Sequence, residues 1–89
     1  MPPSRVDFQE TPNPQAGKFT LPRAVFDARR GRTYADAAGA QGVPFALALL
    51  ADPDVVSVFA VADFVTVTKR DGARWKELAP RVSRILRAL

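Results

Sequence analysis

The sequence contains no cysteine and no histidine. Without cysteine, no disulfide, thiolate nucleophile or thiolate metal ligand can form within the chain. Without histidine, the usual near-neutral acid/base and the commonest nitrogen ligand for metals are missing. Long apolar runs are missing as well. The run from Val55 to Ala62 is too short to cross a membrane. Met1-Pro2-Pro3-Ser4-Arg5 leads into Val6-Asp7-Phe8 without the apolar stretch of a secretory signal. A soluble cytoplasmic protein is therefore the default expectation. No repeat and no low-complexity tract is seen.

What is present is a chain of 89 residues, the size of one small domain spanning 1–89. A domain this small hides about 60–65% of the surface its unfolded chain exposes, so its core is modest. The formal net charge is +4, and it is unevenly placed. From Lys69 to Leu89 seven basic residues stand against Asp71 and Glu77, a net of +5. An electrostatic partner should be sought there.

Residues 5–10 alternate in polarity and read as a strand. "TPNPQAG" breaks it, because proline fixes its own φ and extends the residue before it. Gly17 is free to take the dihedrals that the return requires. Lys18 to Leu21 reads as a second strand. A short third strand is expected near Thr33–Tyr34 and a helical turn near Asp36–Ala38. Pro44 suits the first turn of a helix. That helix, "PFALALLAD", is apolar nearly all round and should be largely buried, with Phe45, Leu49 and Leu50 facing the core. The runs Val55–Phe59 and Phe64–Lys69 flank a turn at Ala62–Asp63 and predict an antiparallel hairpin. Val65 and Val67 mark its covered face; Phe64, Thr66 and Thr68 mark the other. The last helix carries Trp75, Leu78, Ala79, Val82, Ile85, Leu86 and Leu89 at helical spacing, with Pro80 expected to loosen or bend it. The order β-β-(β)-α-β-β-α predicts an α+β fold. It is a two-layer sandwich with a mainly antiparallel sheet of about four strands and two helices on one face.

No nucleophile–base pair can be assembled, because Ser4, Ser57 and Ser83 have no histidine or cysteine to support them. The chain is not expected to be an enzyme, nor to hold a metal, a cofactor or a small-molecule substrate. Asp52 and Asp54, flanking Pro53, read as turn residues. Trp75, Phe19 and Phe59 read as core, and Phe64 as the aromatic most open to a partner. "TPNPQAGKF" reads first as a rigid turn, and a rigid loop presenting Asn13 and Lys18 is also a good docking feature. Arg81, Arg84 and Arg87 recur at three-residue steps and form a basic stripe on the last helix. It is either a solvated face or a contact for an acidic protein or a nucleic-acid backbone.

"TPNPQAGKF", "VSVF...DFVTVTK" and "DGARWKELAPRV", in that order, resemble the N-terminal domain of the Nfu/NifU-like iron–sulfur scaffold proteins. The resemblance covers nearly the whole chain. It implies association with iron–sulfur cluster assembly through protein partners. In that family the cluster is held by a separate domain with a Cys-x-x-Cys motif, so cluster ligation does not carry over to a chain without cysteine. The family's Gly-Pro before the hairpin's Asp-Phe is Val61-Ala62 here, so the turn must form without its glycine. The resulting expectation is a non-catalytic adaptor of iron–sulfur assembly, with a small basic nucleic-acid-binding protein as the alternative and no membrane role. The candidate partner-binding residues are Thr11, Asn13, Pro14, Lys18, Phe64, Lys69, Arg81, Arg84 and Arg87.

Overall fold

The computed structural model describes residues 6–89. The elements run β1 (Asp7–Glu10), β2 (Ala16–Thr20), β3 (Arg32–Tyr34), α1 (Pro44–Leu50), β4 (Val55–Val61), β5 (Phe64–Lys69) and α2 (Trp75–Leu86). The expected start of the first strand at Arg5 and the reading of Met1–Arg5 lie outside the described residues. The strands form one antiparallel sheet in the order β1-β2-β5-β4-β3. It has five strands rather than about four, because the short β3 pairs with β4 from Arg32↔Ala60 to Tyr34↔Val58.

Strand alternation divides the sheet into two faces. Phe19 of β2, Val58 and Ala60 of β4, and Val65 and Val67 of β5 are buried. They share one core with Leu49 of α1 and with Trp75, Leu78, Val82 and Leu86 of α2. Both helices thus cover the face that the aliphatic half of the hairpin marks. The opposite face carries Lys18, Thr20, Ser57, Phe59, Phe64, Thr66 and Thr68, and no helix among the described residues lies on it.

Phe59 belongs to that open face and is 37% exposed, contrary to its assignment to the core. The reason is a register shift between Val55 and Ser57, after which Phe59 pairs with Thr66. A bulge of this kind breaks the simple alternation of a strand. The β4–β5 turn does form without glycine. Ala62 takes φ 51°, a left-handed conformation that costs a residue bearing Cβ about 1–2 kcal/mol. The turn is stitched to the 21–27 segment. The Ala62 carbonyl accepts the Val25 and Phe26 N–H groups at 3.1 and 3.0 Å, and the Ala62 N–H donates to the Asp27 carbonyl at 3.2 Å.

Gly17 has a different role from the one expected. Its φ is not positive, and it lies within β2 opposite Val67. A Cβ there would fall 2.6 Å from Phe8 Cε1 and 2.9 Å from two ring atoms of Trp75. Glycine is needed for close approach, so that the indole can seat on the strand. Phe8, Phe19 and Trp75 form an aromatic cluster there, with centroids 4.9–6.0 Å apart.

The expected turn after Asp36 forms: the Ala40 N–H donates to the Asp36 carbonyl at 3.1 Å, and the Gly39 N–H to Asp36 Oδ1 at 2.7 Å. Helix α2 runs without interruption through Pro80. Helix α1 departs most from its sequence. Only Ala46 and Leu49 are buried; Phe45 and Leu50 are partly covered, and Leu47 is 37% exposed. Seven residues make two turns, and the sheet covers only one side of them.

Candidate functional site

The loop between β1 and β2 is wired by its own side chains. Thr11 Oγ1 lies 2.9 Å from the Asn13 carbonyl and 2.8 Å from the Ala16 carbonyl, with one proton to donate between them. The same oxygen accepts the Asn13 N–H at 3.2 Å, and Asn13 Oδ1 accepts the Gln15 N–H at 3.0 Å. Local bonds of this type hold an irregular segment in one shape. Trp75 Nε1 then donates to the Pro14 carbonyl at 3.1 Å, pinning the loop to the start of α2. Thr11, Asn13 and Pro14 are therefore fixed in place, and the Asn13 and Pro14 side chains face solvent.

Gln15 carried no signal in the sequence, yet it joins three elements. Its Oε1 accepts from Lys69 Nζ at 2.6 Å, and its Nε2 donates to Asp71 Oδ1 at 3.2 Å. Its carbonyl accepts the Lys69 N–H at 2.8 Å. Lys69 is thereby tied to the loop rather than left free. Lys18 is on the open sheet face with Phe64: its Nζ stands 4.6 Å from the ring centroid. Lys18 is paired with Thr66, which makes Phe64 its diagonal neighbour across the strands, a position suited to a cation–π contact. Phe59 lies 6.5 Å from Phe64, so a cation and two aromatics share this face.

The three arginines of α2 separate. Arg81 is held by Asp52 and Asp54: Nε bonds Asp52 Oδ2 at 2.7 Å, Nη2 bonds Asp54 Oδ2 at 2.8 Å, and Nη2 also reaches Asp52 Oδ1 at 3.2 Å. Asp54 Oδ1 also pairs with Arg70 Nε at 2.6 Å. The Arg81 guanidinium holds the Asp52 carboxyl below the usual carboxylate range, against a smaller opposing effect of burial. In return the two carboxylates raise the pKa of Arg81. Asp52 and Asp54 thus do more than turn the chain; they fasten the α1–β4 connection to α2 and to the end of β5. Arg84 and Arg87 make no ion pair among the described residues, and both are exposed. Arg84 lies in the last turn of α2 and Arg87 is its C-cap residue, where a cation complements the helix dipole.

The stripe expected of Arg81, Arg84 and Arg87 is therefore two free cations beside one engaged cation. Phe59 and Phe64 lie on the open sheet face, while α2 lies on the covered one. Exposed Phe59 and half-buried Phe64 thus lie on the side of the sheet opposite the arginines of α2. Among the described residues no three carboxylates converge on a point that could hold a cation. No helix among them is long and apolar enough to cross a membrane.

The family described as the scaffold protein Nfu/NifU N-terminal domain matches residues 6–89. The chain is 39% identical over 83 residues to the mitochondrial NFU1 iron-sulfur cluster scaffold homolog of Drosophila erecta, covering 91% of this chain and 29% of that protein. It is 35% identical over 77 residues to the mitochondrial NifU-like protein 5 of Arabidopsis thaliana, covering 86% of this chain and 28% of that protein. The chain thus spans less than a third of the length of the curated relatives it matches. Among solved structures it resembles protein SAV1430 from Staphylococcus aureus at 29% identity and a TM-score of 0.77, over 91% of this chain and 96% of that one. A NifU-like protein from Saccharomyces cerevisiae shares the fold at a TM-score of 0.84 and 20% identity, over 96% of this chain and 76% of that one.

Proposed function

This chain belongs to the family of Nfu/NifU scaffold N-terminal domains, and from that membership we propose that it is a protein-interaction module of iron–sulfur cluster assembly. In this reading it is a single non-catalytic domain that docks assembly components or cluster recipients and does not itself ligate the cluster. The observation that carries the reading is the family match over residues 6–89 in a sequence without cysteine or histidine. Iron–sulfur clusters are held by thiolates, with imidazole the usual substitute. The oxygen donors of these 89 residues suit neither, so in this reading the ligands lie outside them. We keep the cytoplasm as the proposed location, whereas the named relatives are mitochondrial.

The rigid β1–β2 loop supports this reading, since Asn13 and Pro14 are presented on a segment that pays no ordering cost on binding. The nucleic-acid alternative is the weaker one. Single-strand binding combines a positively charged groove with stacking aromatics on one surface; here Phe59 and Phe64 share their face with Lys18, while the arginines of α2 lie on the other side of the sheet.

The test is a binding titration of the 89-residue chain against a cluster-loaded Cys-x-x-Cys scaffold domain and against apo iron–sulfur enzymes from the same cell. Saturable binding to at least one of them, retained at high salt, is the expected result. Absence of binding to all of them would overturn the proposal, as would a cluster assembled on the isolated chain with stoichiometric iron and visible absorbance.

A further inference from the structure

Basic charge also gathers outside α2. Residues 23–32 carry Arg23, Arg29, Arg30 and Arg32 against Asp27 alone. Two of these arginines, Arg30 and Arg32, line a cavity of about 180 Å³ at the β3 edge of the sheet, together with Phe26, Asp27, Tyr34 and Ala60. Strand pairing explains the grouping. Arg32 pairs with Ala60, and Tyr34 lies two residues further along β3, on the same face. Phe45 of α1 backs both aromatics, with its ring 5.2 Å from Phe26 and 6.1 Å from Tyr34 between centroids.

The loop that brings Arg30 there is fixed on both sides. The Asp27 carbonyl accepts the Ala62 N–H at 3.2 Å, and Asp27 Oδ1 accepts the Arg29 N–H at 2.8 Å. Gly31 lies against the Phe59 ring, which a Cβ at that position would strike. The backbone is thus held before and after Arg30.

The side-chain donors around the cavity are unused. Arg30 and Arg32 make no side-chain hydrogen bond and no ion pair among the described residues. Tyr34 is only 8% exposed, yet its hydroxyl has no hydrogen-bond partner among them. No side-chain polar atom among them is sealed from water without a partner, so this hydroxyl opens outward. Guanidinium forks match the oxygens of carboxylate and phosphate, and a phenol adds one more donor. Size narrows the choice. Pockets for drug-sized ligands run to roughly 300–1,000 Å³, so this smaller cavity takes a single group. Asp27 is the one negative charge on its lining, set against two positive ones. We infer that the cavity between Arg30, Arg32 and Tyr34 is a binding site for an oxyanion: a phosphate or carboxylate group on a short stem that rests on Phe26 and Ala60. This site and the adaptor reading are independent, and failure of either leaves the other standing.

The experiment is a backbone-amide NMR titration of the labelled chain at pH 7 and constant low ionic strength. The probes are inorganic phosphate, succinate, and a blocked glycine tripeptide with a central glutamate. At least one probe should give saturable shifts over 26–34 and 59–61 and leave 11–16 and 84–89 unchanged. Binding by the tripeptide assigns the anion to a partner's side chain; binding by phosphate or succinate without it assigns a free small anion. Arg30→Gln and Arg32→Gln should each weaken binding by about tenfold. Lys76→Gln, which removes a cation outside the cavity, should change it by less than about twofold. Tyr34→Phe keeps the ring and should weaken binding by about threefold with Tm unchanged, since the hydroxyl has no bond to lose. Asp27→Asn keeps the acceptor for the Arg29 N–H, removes the opposing charge and should tighten binding by about twofold. The absence of saturable shifts with all three probes would overturn the inference. Equal losses in Arg32→Gln and Lys76→Gln would do the same, because they would reveal general attraction to a basic chain. So would binding that emerges only in Asp27→Asn, since Arg30 and Arg32 would then be engaged by Asp27 in the folded protein.

Discussion

Helices α1 and α2 cover the same sheet face, but they are secured differently. Helix α2 has twelve residues; its apolar side is buried and its charges lie outside. It is also fixed at its start by Trp75 on the Pro14 carbonyl and midway by Arg81 on Asp52 and Asp54. Helix α1 has seven residues and no charge, and two buried side chains hold it. Neither length is stable as a free helix in water, so tertiary contacts decide both. Where many contacts converge, the helix tolerates an internal proline. Where few do, an apolar surface is left open.

Core substitutions test this contrast most strongly. Leu78 of α2 and Leu49 of α1 are both fully buried. Leu78→Ala and Leu49→Ala should each cost about 2–5 kcal/mol in denaturant unfolding, with Tm falling by roughly 4–8 °C per kcal/mol. Leu47→Ala, two residues from Leu49, should cost less than about 1 kcal/mol. If Leu47→Ala proved as costly as Leu49→Ala, α1 would be packed as fully as α2 and the contrast would fail.

The seat of α2 comes next. Gly17→Ala places a methyl against the Trp75 ring and Phe8. Phe8, half-buried on an edge strand, can move aside. The indole is tied to Pro14 and has less freedom. The expected loss is about 1–3 kcal/mol, with a shift in the emission of Trp75, the single tryptophan. An unchanged spectrum and midpoint would show that the indole has room to spare.

Pro80→Ala should act in the opposite direction. It returns an N–H that can bond the Lys76 carbonyl in a helix that already runs through the site. A gain of about 1 kcal/mol is expected. A neutral or destabilising result would mean that the proline ring contributes packing of its own.

The elements whose pattern repeats were the legible ones. The seven apolar positions from Trp75 to Leu89 announced α2, and Val65 and Val67 announced the covered face of the hairpin. Helix α1 was readable as a helix but not in its burial. "PFALALL" would look the same in a deep core, and only the area of sheet beneath it decides how much is covered. Phe59 was hidden by the bulge at Val55/Ser57, which shifts the faces of β4 without any mark in composition. Gly17 was noticed for its dihedral freedom, whereas its missing Cβ is what matters; that depends on a ring 58 positions further along the chain. Arg81 looked equivalent to Arg84 and Arg87 because three-residue spacing records one helix and not its neighbours. The two aspartates that engage it are 27 and 29 positions away.

The smallest expected effect concerns that ion cluster, and it separates the helices by pH. Asp52 has a folded-state pKa below its ordinary value, chiefly because Arg81 bonds the ionised carboxylate. A depressed carboxylate pKa means that the unfolded chain binds the proton more readily than the folded one. The stability Asp52 contributes is therefore fully present above the unfolded-state carboxylate pKa of about 3.9, and it is lost as pH falls through the lower folded value. Asp52→Asn should remove this part of the acid sensitivity, so the stabilities of variant and parent converge as pH falls below about 3.9. Arg81→Gln should flatten the same limb, since the carboxylate then loses the partner that depresses it. Hydrogen exchange at pH 7 should show the loss in the α1–β4 connection and the middle turn of α2, not in the exposed half of α1. Faster exchange over Leu47–Leu50 as well would mean that the ion cluster also secures α1, and the two helices would then share the anchoring that the structure gives to α2 alone.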